Sequence, residues 1–221
     1  MEAFYDALDL LSGMIRIPSF SREENDVADY LFSQWTKAGH KVNRAGNNLW
    51  IVAPGFELGK QTILLNSHID TVKPVAGWSK DPFAADAGED DRLYGLGSND
   101  AGASVVSLYE AFTILSKKSQ PSNLIFLASC EEEVSGKNGL ELALAELPPI
   151  HFAVVGEPTE MQPAVAEKGL MVLDCIALGK AGHAARNEGV NAILLAMKDI
   201  EWFTTYQFPE KSDFLGPVKM S

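Results

Sequence analysis

Short apolar runs alternate with amphipathic segments along most of this chain. Three runs have the length of β-strands, namely QTILLNS (61–67), SNLIFLASC (122–130) and HFAVVGE (151–157). Between the first two lies VVSLYEAFTIL (105–115), in which apolar residues recur every three or four positions. Apolar strands that alternate with helices are typical of a mainly parallel sheet with helices on both faces. We therefore predict an α/β fold in which the last two runs are buried strands.

The pattern changes after the third run. The segment GLMVLDCIALGKAGHAA (169–185) has roughly alternating apolar residues and predicts a long strand. NAILLAMKDIEWF (191–203) predicts an amphipathic helix, and GPVKMS (216–221) predicts the start of another strand. We expect two parts, a catalytic, metal-binding domain over residues 1–166 and part of a smaller α+β domain over residues 167–221.

Charge and composition narrow the range of partners. The formal net charge of −12 disfavours binding to nucleic acid and to anionic membrane surfaces. No apolar run approaches the roughly 20 residues that span a bilayer, and MEAFYDALDL lacks the order of a signal peptide. We expect a cytoplasmic protein in which Cys130 and Cys175 are buried thiols. SREE (21–24) matches a helix capping box.

Polar side chains follow each of the three predicted strands. His68 and Asp70 follow the first, Glu131–Glu133 the second and Glu157 the third, while Asp100 stands where a helix would begin. Parallel strands present their carboxyl ends at one edge of a sheet, where ligands bind. Each residue also has an ordinary interpretation, such as a solvated strand end, a helix N-cap or a loop carboxylate. Together, one imidazole and several carboxylates favour zinc, cobalt or manganese.

Several motifs in order give the chain a family resemblance. These are NSHIDTV (66–72), GWSKDPF (77–83), LYGLGSNDAGASV (93–105), SCEEEVSGKNG (129–139), VGEPTE (155–160) and GKAGHAA (179–185). They resemble the two-metal amidohydrolases that include acetylornithine deacetylase, succinyl-diaminopimelate desuccinylase, aminoacylase and glutamate carboxypeptidase. The resemblance implies a zinc-peptidase-like catalytic domain with part of a lid domain that forms homodimers.

The resemblance also implies a role for each motif residue. His68, Asp100 and Glu157 match the ligands of one zinc, and Asp100 bridges to a second. Glu133 matches a ligand of that second zinc, and either site could also take Co²⁺ or Mn²⁺. The remaining matches concern the reaction: Glu132 as general base, Asp70 as the carboxylate that orients His68, and His183 as a lid histidine that reaches the partner subunit's active site.

The implied reaction is hydrolysis of the amide bond of an N-acyl amino acid. The segment EPTEMQPAVAEKGLM (157–171) resembles the acetylornithine deacetylase branch of the family. This favours N-acetyl-L-ornithine as the substrate, which gives L-ornithine and acetate in arginine biosynthesis. A dipeptidase or carboxypeptidase of the same family remains an alternative. So does a catalytically incomplete fragment, because the second zinc's histidine in this family lies beyond residue 221.

Other patterns carry less information. GLGSNDAG (95–102) lacks a third glycine at the position of Asp100, whose carboxylate would repel a pyrophosphate, which disfavours nucleotide binding. His40 and His151 match no ligand position and are expected to be structural. Glu131 stands where the family usually has aspartate.

Overall fold

The computed structural model describes residues 2–186 and 188–220. The chain forms two compact units, Met1–Glu160 and Met161–Ser221. Among its described residues, the first unit contains four α-helices and seven β-strands. In chain order these are α1 (Glu2–Ile15), α2 (Asn25–Lys37), β1 (Val42–Ala45), β2 (Asn48–Val52), β3 (Thr62–His68), β4 (Asp86–Ala87), β5 (Leu93–Tyr94), α3 (Ala103–Ser116), β6 (Asn123–Ser129), α4 (Leu140–Leu144) and β7 (Phe152–Val155).

A five-stranded sheet organises the first unit, with strand order β1-β2-β6-β3-β7. β3 pairs in parallel with both β6 and β7, while β2 pairs antiparallel with β1 and β6. β1, β3, β6 and β7 therefore run in one direction and β2 runs in the other. The predicted α/β fold with a mainly parallel sheet is confirmed.

Each face of this sheet has its own hydrophobic core, as alternation of side chains along the strands requires. On one face, α1, α2 and α3 pack over β3 and β6, and Phe126 contacts Trp35 edge to face at 5.2 Å between ring centroids. On the other face, Ile125 and Leu127 pack with Ala143 of α4. The prediction of helices on both faces is thus confirmed.

β7 is a strand as expected, but it is not buried. Within the described part of the chain it pairs with β3 alone, and Phe152 is 62% exposed. Val154 and Val155 are also exposed. An apolar run has the same sequence pattern whether or not a neighbouring strand and a covering helix are present, so the sequence could not separate an edge strand from a central one.

The second unit contains α5 (Ala192–Thr205) and a small pair of strands, β8 (Lys211–Ser212) and β9 (Gly216–Pro217). The helix predicted over 191–203 is therefore present. The long strand predicted over 169–185 is wrong, because its described residues form no strand and make only one isolated bridge, between Lys180 and Val190. An alternating segment becomes a strand only where a neighbour accepts its backbone hydrogen bonds.

The two cysteines differ in environment. Cys130 is buried behind the carboxyl end of β6, whereas Cys175 lies in the second unit and is exposed, so its predicted burial is wrong. Among the residues that the structure describes, no helix combines the length and apolarity needed to cross a lipid bilayer.

Candidate metal centre

The last residue of β3 delivers a buried imidazole to the carboxyl edge of the sheet. His68 is 1% exposed, and its Nδ1 lies 3.0 Å from the backbone oxygen of Asp70. That contact fixes the ring so that Nε2 faces away from the strand. Nε2 of a histidine oriented in this way is free to act as a metal ligand.

Asp100 approaches this imidazole from the turn that precedes α3. The turn spans Ser98–Gly102, begins after Gly97 at φ +75°, and contains a cis peptide bond between Asp100 and Ala101. The amide of Gly102 donates a hydrogen bond to the oxygen of Gly97 at 2.8 Å and closes the turn. As a result, Asp100 Oδ1 lies 3.0 Å from His68 Nε2.

Glu157 reaches the same nitrogen from the end of β7. The amide of Gly156 continues the ladder by donating to the oxygen of Asn66, and Ser67 Oγ donates to the oxygen of Gly156, both at 2.8 Å. These bonds hold the chain beside β3 as it leaves the sheet. Glu157 Oε2 then lies 3.7 Å from His68 Nε2.

The three side chains form a group suited to a divalent cation. One ligand atom from each of His68, Asp100 and Glu157 lies within 4.8 Å of the other two. Two atoms that each sit about 2.0–2.2 Å from one ion are at most about 4.4 Å apart, so small side-chain rotations would let all three bind it. One imidazole with two carboxylates is a donor set that zinc, cobalt and manganese accept.

The electrostatics of this group favour positive charge between the carboxylates. Burial by itself lowers the pKa of His68, but the neighbouring carboxylates of Asp70 and Glu157 stabilise the imidazolium and raise the pKa to about 11. The carboxylates around His68 therefore favour a positive charge at this place. A metal ion at the same place would supply that positive charge instead.

Glu132 and Glu133 lie beside the group, on a single turn after β6. Glu132 Oε2 is 3.9 Å from His68 Nε2. Burial raises the pKa of both glutamates, and the negative charge of Asp100 raises it further. A carboxyl group whose pKa is raised in this way takes up a proton more readily than a solvated glutamate does.

Asp70 contributes chiefly to the position of that turn. Its Oδ1 accepts a hydrogen bond from the amide of Glu132 at 3.0 Å, and its Oδ2 accepts one from the amide of Glu133 at 3.1 Å. Oδ1 is also 3.5 Å from His68 Nδ1, which agrees with the expected contact to the imidazole. Burial would raise the pKa of Asp70, but its hydrogen bonds to His68, Ser21 and the two amides lower it.

Ser21 and Glu24 do not have the helix-capping role that the sequence predicts for them. In the described structure, SREE (21–24) makes no side-chain cap on α2, and Glu24 occupies the N-cap position. Ser21 Oγ instead donates to Asp70 Oδ2 at 2.7 Å, and the Glu24 carboxylate accepts from the amide of Glu131. The capping-box prediction is wrong because both side chains bond to buried groups far away in sequence.

The remaining histidines are not part of this group. His183 belongs to the second unit, where its Nδ1 accepts a hydrogen bond from the amide of Ala185 at 3.2 Å. His151 Nδ1 accepts from the amide of Thr62 at the opposite end of β3, and His40 packs against Tyr109 at 5.6 Å between ring centroids. The last two contacts are structural.

Comparison with known proteins identifies the family. Residues 64–213 match the model of peptidase family M20/M25/M40. The chain belongs to this family. This confirms the resemblance drawn from the sequence motifs.

Individual M20 relatives show how much of such a protein the chain represents. It is 32% identical over 162 residues to an acetylornithine deacetylase of Proteus mirabilis, a match that covers 72% of the chain and 42% of that protein. A succinyl-diaminopimelate desuccinylase of Wolinella succinogenes is 28% identical over 224 residues, with 96% and 60% covered. The crystal structure of a Staphylococcus aureus tripeptidase has a TM-score of 0.61 at 22% identity, with 88% and 55% covered. The chain thus spans less than two thirds of these M20 proteins.

Proposed function

We propose that this M20 chain carries the metal centre of a hydrolase that cleaves the amide bond of an N-acyl amino acid. His68, Asp100 and Glu157 would hold one divalent ion, with zinc as the first candidate. Glu133, together with Asp100, would help to hold a second ion. The observation that carries this proposal is the group of ligand atoms within 4.8 Å of one another.

The chain's own residues would divide the remaining work. When bound, divalent ions supply Lewis acidity toward the amide carbonyl and lower the pKa of water. Glu132 would take a proton from the attacking water and return it to the leaving amine, because its carboxyl lies 3.9 Å from His68 Nε2 without belonging to the ligand group. Asp70 would hold the Glu132 amide and orient His68 throughout.

His183 and the second unit would complete the active site in a homodimer. We propose that residues 1–166 act as the catalytic part and residues 167–221 as part of a lid. His183 of one subunit would donate a hydrogen bond to the oxyanion that forms in the partner's site. Loss of such a donor typically lowers kcat by about 10²–10³-fold.

N-acetyl-L-ornithine is the proposed substrate. The support is the identity to an acetylornithine deacetylase over 162 residues and a net charge of −12, which attracts a substrate that bears a side-chain amine. The acyl group and the amino acid of the substrate have to be tested separately. The match to a succinyl-diaminopimelate desuccinylase covers 96% of the chain at lower identity, and the substrate in that enzyme's name differs in both groups.

The test is a steady-state assay of the purified chain with and without added Zn²⁺. N-acetyl-L-ornithine, N-succinyl-L,L-diaminopimelate and an unblocked dipeptide would be compared at equal concentrations, and metal content would be measured in parallel. We expect zinc-dependent release of ornithine that exceeds turnover of the other two. Preferred cleavage of the dipeptide would favour a peptidase instead. One bound ion per chain with no turnover of any substrate would indicate a catalytically incomplete fragment.

A further inference from the structure

Glu24 is a carboxylate buried between α2 and the turn after β6. Its side chain is fully shielded from solvent. Oε1 accepts hydrogen bonds from the amides of Arg22 and Glu131, at 2.6 and 3.2 Å, and Oε2 accepts one from Asn47 Nδ2 at 3.0 Å. A charge taken out of water in this way is costly unless several donors compensate it, and here three do.

The Glu131 bond belongs to a continuous set along the turn. Four consecutive amides, those of residues 130–133, each donate to a side-chain oxygen from another part of the chain. The acceptors are, in order, Asn48 Oδ1, Glu24 Oε1, Asp70 Oδ1 and Asp70 Oδ2. Such a set fixes the direction of the backbone from which the Glu132 and Glu133 side chains project.

Glu131 is the residue of this turn that most needs support. Its φ of +55° places a non-glycine residue in the left-handed region, where the Cβ atom makes the conformation unfavourable. Its carboxylate accepts hydrogen bonds from the backbone and side-chain nitrogens of Asn138, at 3.3 and 2.9 Å. Its amide is bound by Glu24. Without these partners the backbone would relax toward a more favourable φ and turn the following residues.

Capping of α2 does not account for a glutamate at this position. Glu24 is the N-cap residue, yet in the described structure no side chain caps the helix from there. A short, solvated serine or aspartate would serve that purpose better. The buried carboxylate instead faces the turn after β6.

We propose that Glu24 is a positioning residue that aims Glu132 and Glu133 at the metal centre by holding the amide of Glu131. The inference rests on the proposed roles of those two glutamates. It assigns no direct contact with metal or substrate to Glu24. Its effect should therefore reach metal affinity and kcat through the turn, while the His68, Asp100 and Glu157 group stays intact.

The experiment compares Glu24→Ala and Glu24→Gln with a matched control. Asn123→Ala also removes a buried polar side chain, one that bonds the backbone of Glu57 and Lys60. Asn123 lies at the opposite end of β6, about 20 Å from the turn. Co²⁺ binding to each full chain would be titrated by visible absorption, and unfolding would be followed by circular dichroism. A Glu133→Gln variant would identify the binding step to which Glu133 contributes.

We expect Glu24→Ala to weaken that step by about 10–100-fold, the range found for residues that orient metal ligands. In the Glu133→Gln background the further loss should be small, because both changes act on the same interaction. The other Co²⁺-binding step, which Glu133→Gln leaves unchanged, should keep its wild-type affinity in Glu24→Ala. In turnover, kcat should fall while KM changes little. Glu24→Gln keeps an oxygen for the Glu131 amide but opposes Asn47 with a second donor, so its effect should be intermediate.

Four outcomes would overturn the inference. Wild-type Co²⁺ binding in Glu24→Ala, with Glu133→Gln impaired, would remove Glu24 from the metal centre and leave the proposed function standing. Unchanged binding in Glu133→Gln would refute the role of Glu133, and the inference with it. Equal effects of Glu24→Ala and Asn123→Ala on every step, or a Glu24→Gln chain that does not fold, would assign Glu24 to overall stability alone.

Discussion

At the scale of single residues, the most distinctive feature of this chain is a buried histidine surrounded by carboxylates. His68 is almost fully buried, and Asp100, Glu132 and Glu157 each place an oxygen within 4 Å of its Nε2. So many acidic groups around one nitrogen repel one another unless positive charge lies between them. Variants of His68 and Glu132 distinguish a residue that would bind the ion from one that would transfer a proton during hydrolysis.

Replacing His68 by alanine should abolish tight binding of the first ion. The variant removes the one nitrogen ligand of the proposed group, so we expect the dissociation constant for Zn²⁺ to rise about 100-fold or more. That is beyond the loss seen when a residue that only orients a ligand is removed. Competition with a chelator of known affinity measures it. His40→Ala is the control, since His40 packs on Tyr109. Unchanged binding in His68→Ala would refute the proposed centre.

Glu132→Gln should lower turnover and leave metal content unchanged. The amide retains the size of the carboxyl group but cannot accept a proton from water, and loss of a positioned base typically costs about 10²–10⁴-fold in rate. Steady-state assay with the best substrate, together with metal analysis of the same sample, provides the measurement. A variant with wild-type kcat would exclude Glu132 as the base. A variant that loses an ion would make it a ligand instead.

Cys130 should be unreactive in the native chain. Burial, followed by the nearby charges of Glu24 and Glu131, raises the pKa of its thiol to about 12, so little thiolate forms near pH 8. Cys175 is exposed. A colorimetric thiol reagent at pH 8 should therefore label one cysteine in the native chain and both in denaturant. Rapid labelling of both without denaturant would contradict the described packing of β6.

At the scale of elements, the turn that precedes α3 is what places Asp100. Gly97 opens this turn at φ +75°, and a Cβ added there would lie 2.7 Å from Thr71 Cγ2. Both the conformation and the space therefore favour glycine at this position.

Gly97→Ala should destabilise the fold and weaken metal binding together. We expect about 1–2 kcal/mol from the left-handed conformation and about 1–3 kcal/mol more from the clash with Thr71. Gly39→Ala is the matched control, because Gly39 has φ +89° with no atom within 4 Å of an added Cβ. Urea unfolding and Zn²⁺ titration of both variants test this. Equal losses of stability, with intact metal binding in both, would show that the turn tolerates a side chain.

The elements that sequence analysis placed correctly are those whose own pattern is sufficient. β3 and β6 each contain a continuous apolar run of strand length, and α3 repeats apolar residues every three or four positions, so their own sequence patterns predict them. β7 was located but judged buried, because its exposure depends on neighbours that a sequence window does not contain. The segment 169–185 failed for the same reason, since alternation cannot supply a partner strand.

The site shows a similar division. The proximity of His68, Asp100 and Glu157 was predictable, because the ends of parallel strands and a helix start converge at one sheet edge. Ser21 and Glu24 were interpreted as helix-capping residues, although they bond to Asp70 and Glu131. Those partners are distant in sequence, and a local motif outweighed them. Long-range hydrogen bonds of this kind become visible only when the fold is known.

At the scale of the whole molecule, the chain divides after Glu160. The first unit contains both hydrophobic cores and all of His68, Asp100 and Glu157. Its core side chains and its candidate ligands therefore come from one continuous stretch of chain.

Residues 1–160 expressed alone should fold and bind one ion. The expectation follows from the location of the cores, and we predict a cooperative thermal transition together with near wild-type affinity for the first Zn²⁺. Circular dichroism and chelator competition on the truncated and complete chains provide the comparison. A truncated chain without a cooperative transition would show that the second unit is needed for folding. A folded one that binds no ion would show that the trio is not sufficient as a site.

The position of β7 links metal binding to the stability of the sheet edge. This strand is joined to the sheet through four residue pairs with β3, and its apolar side chains face solvent. Glu157 follows directly after it, whereas His68 ends β3 and Asp100 belongs to a separate turn. An ion bound by these three residues would cross-link the end of β7 to the rest of the first unit. Removal of the ion by a chelator would then let β7 separate from β3 before the rest of the sheet unfolds. The newly unpaired edge of β3 would be a site for aggregation.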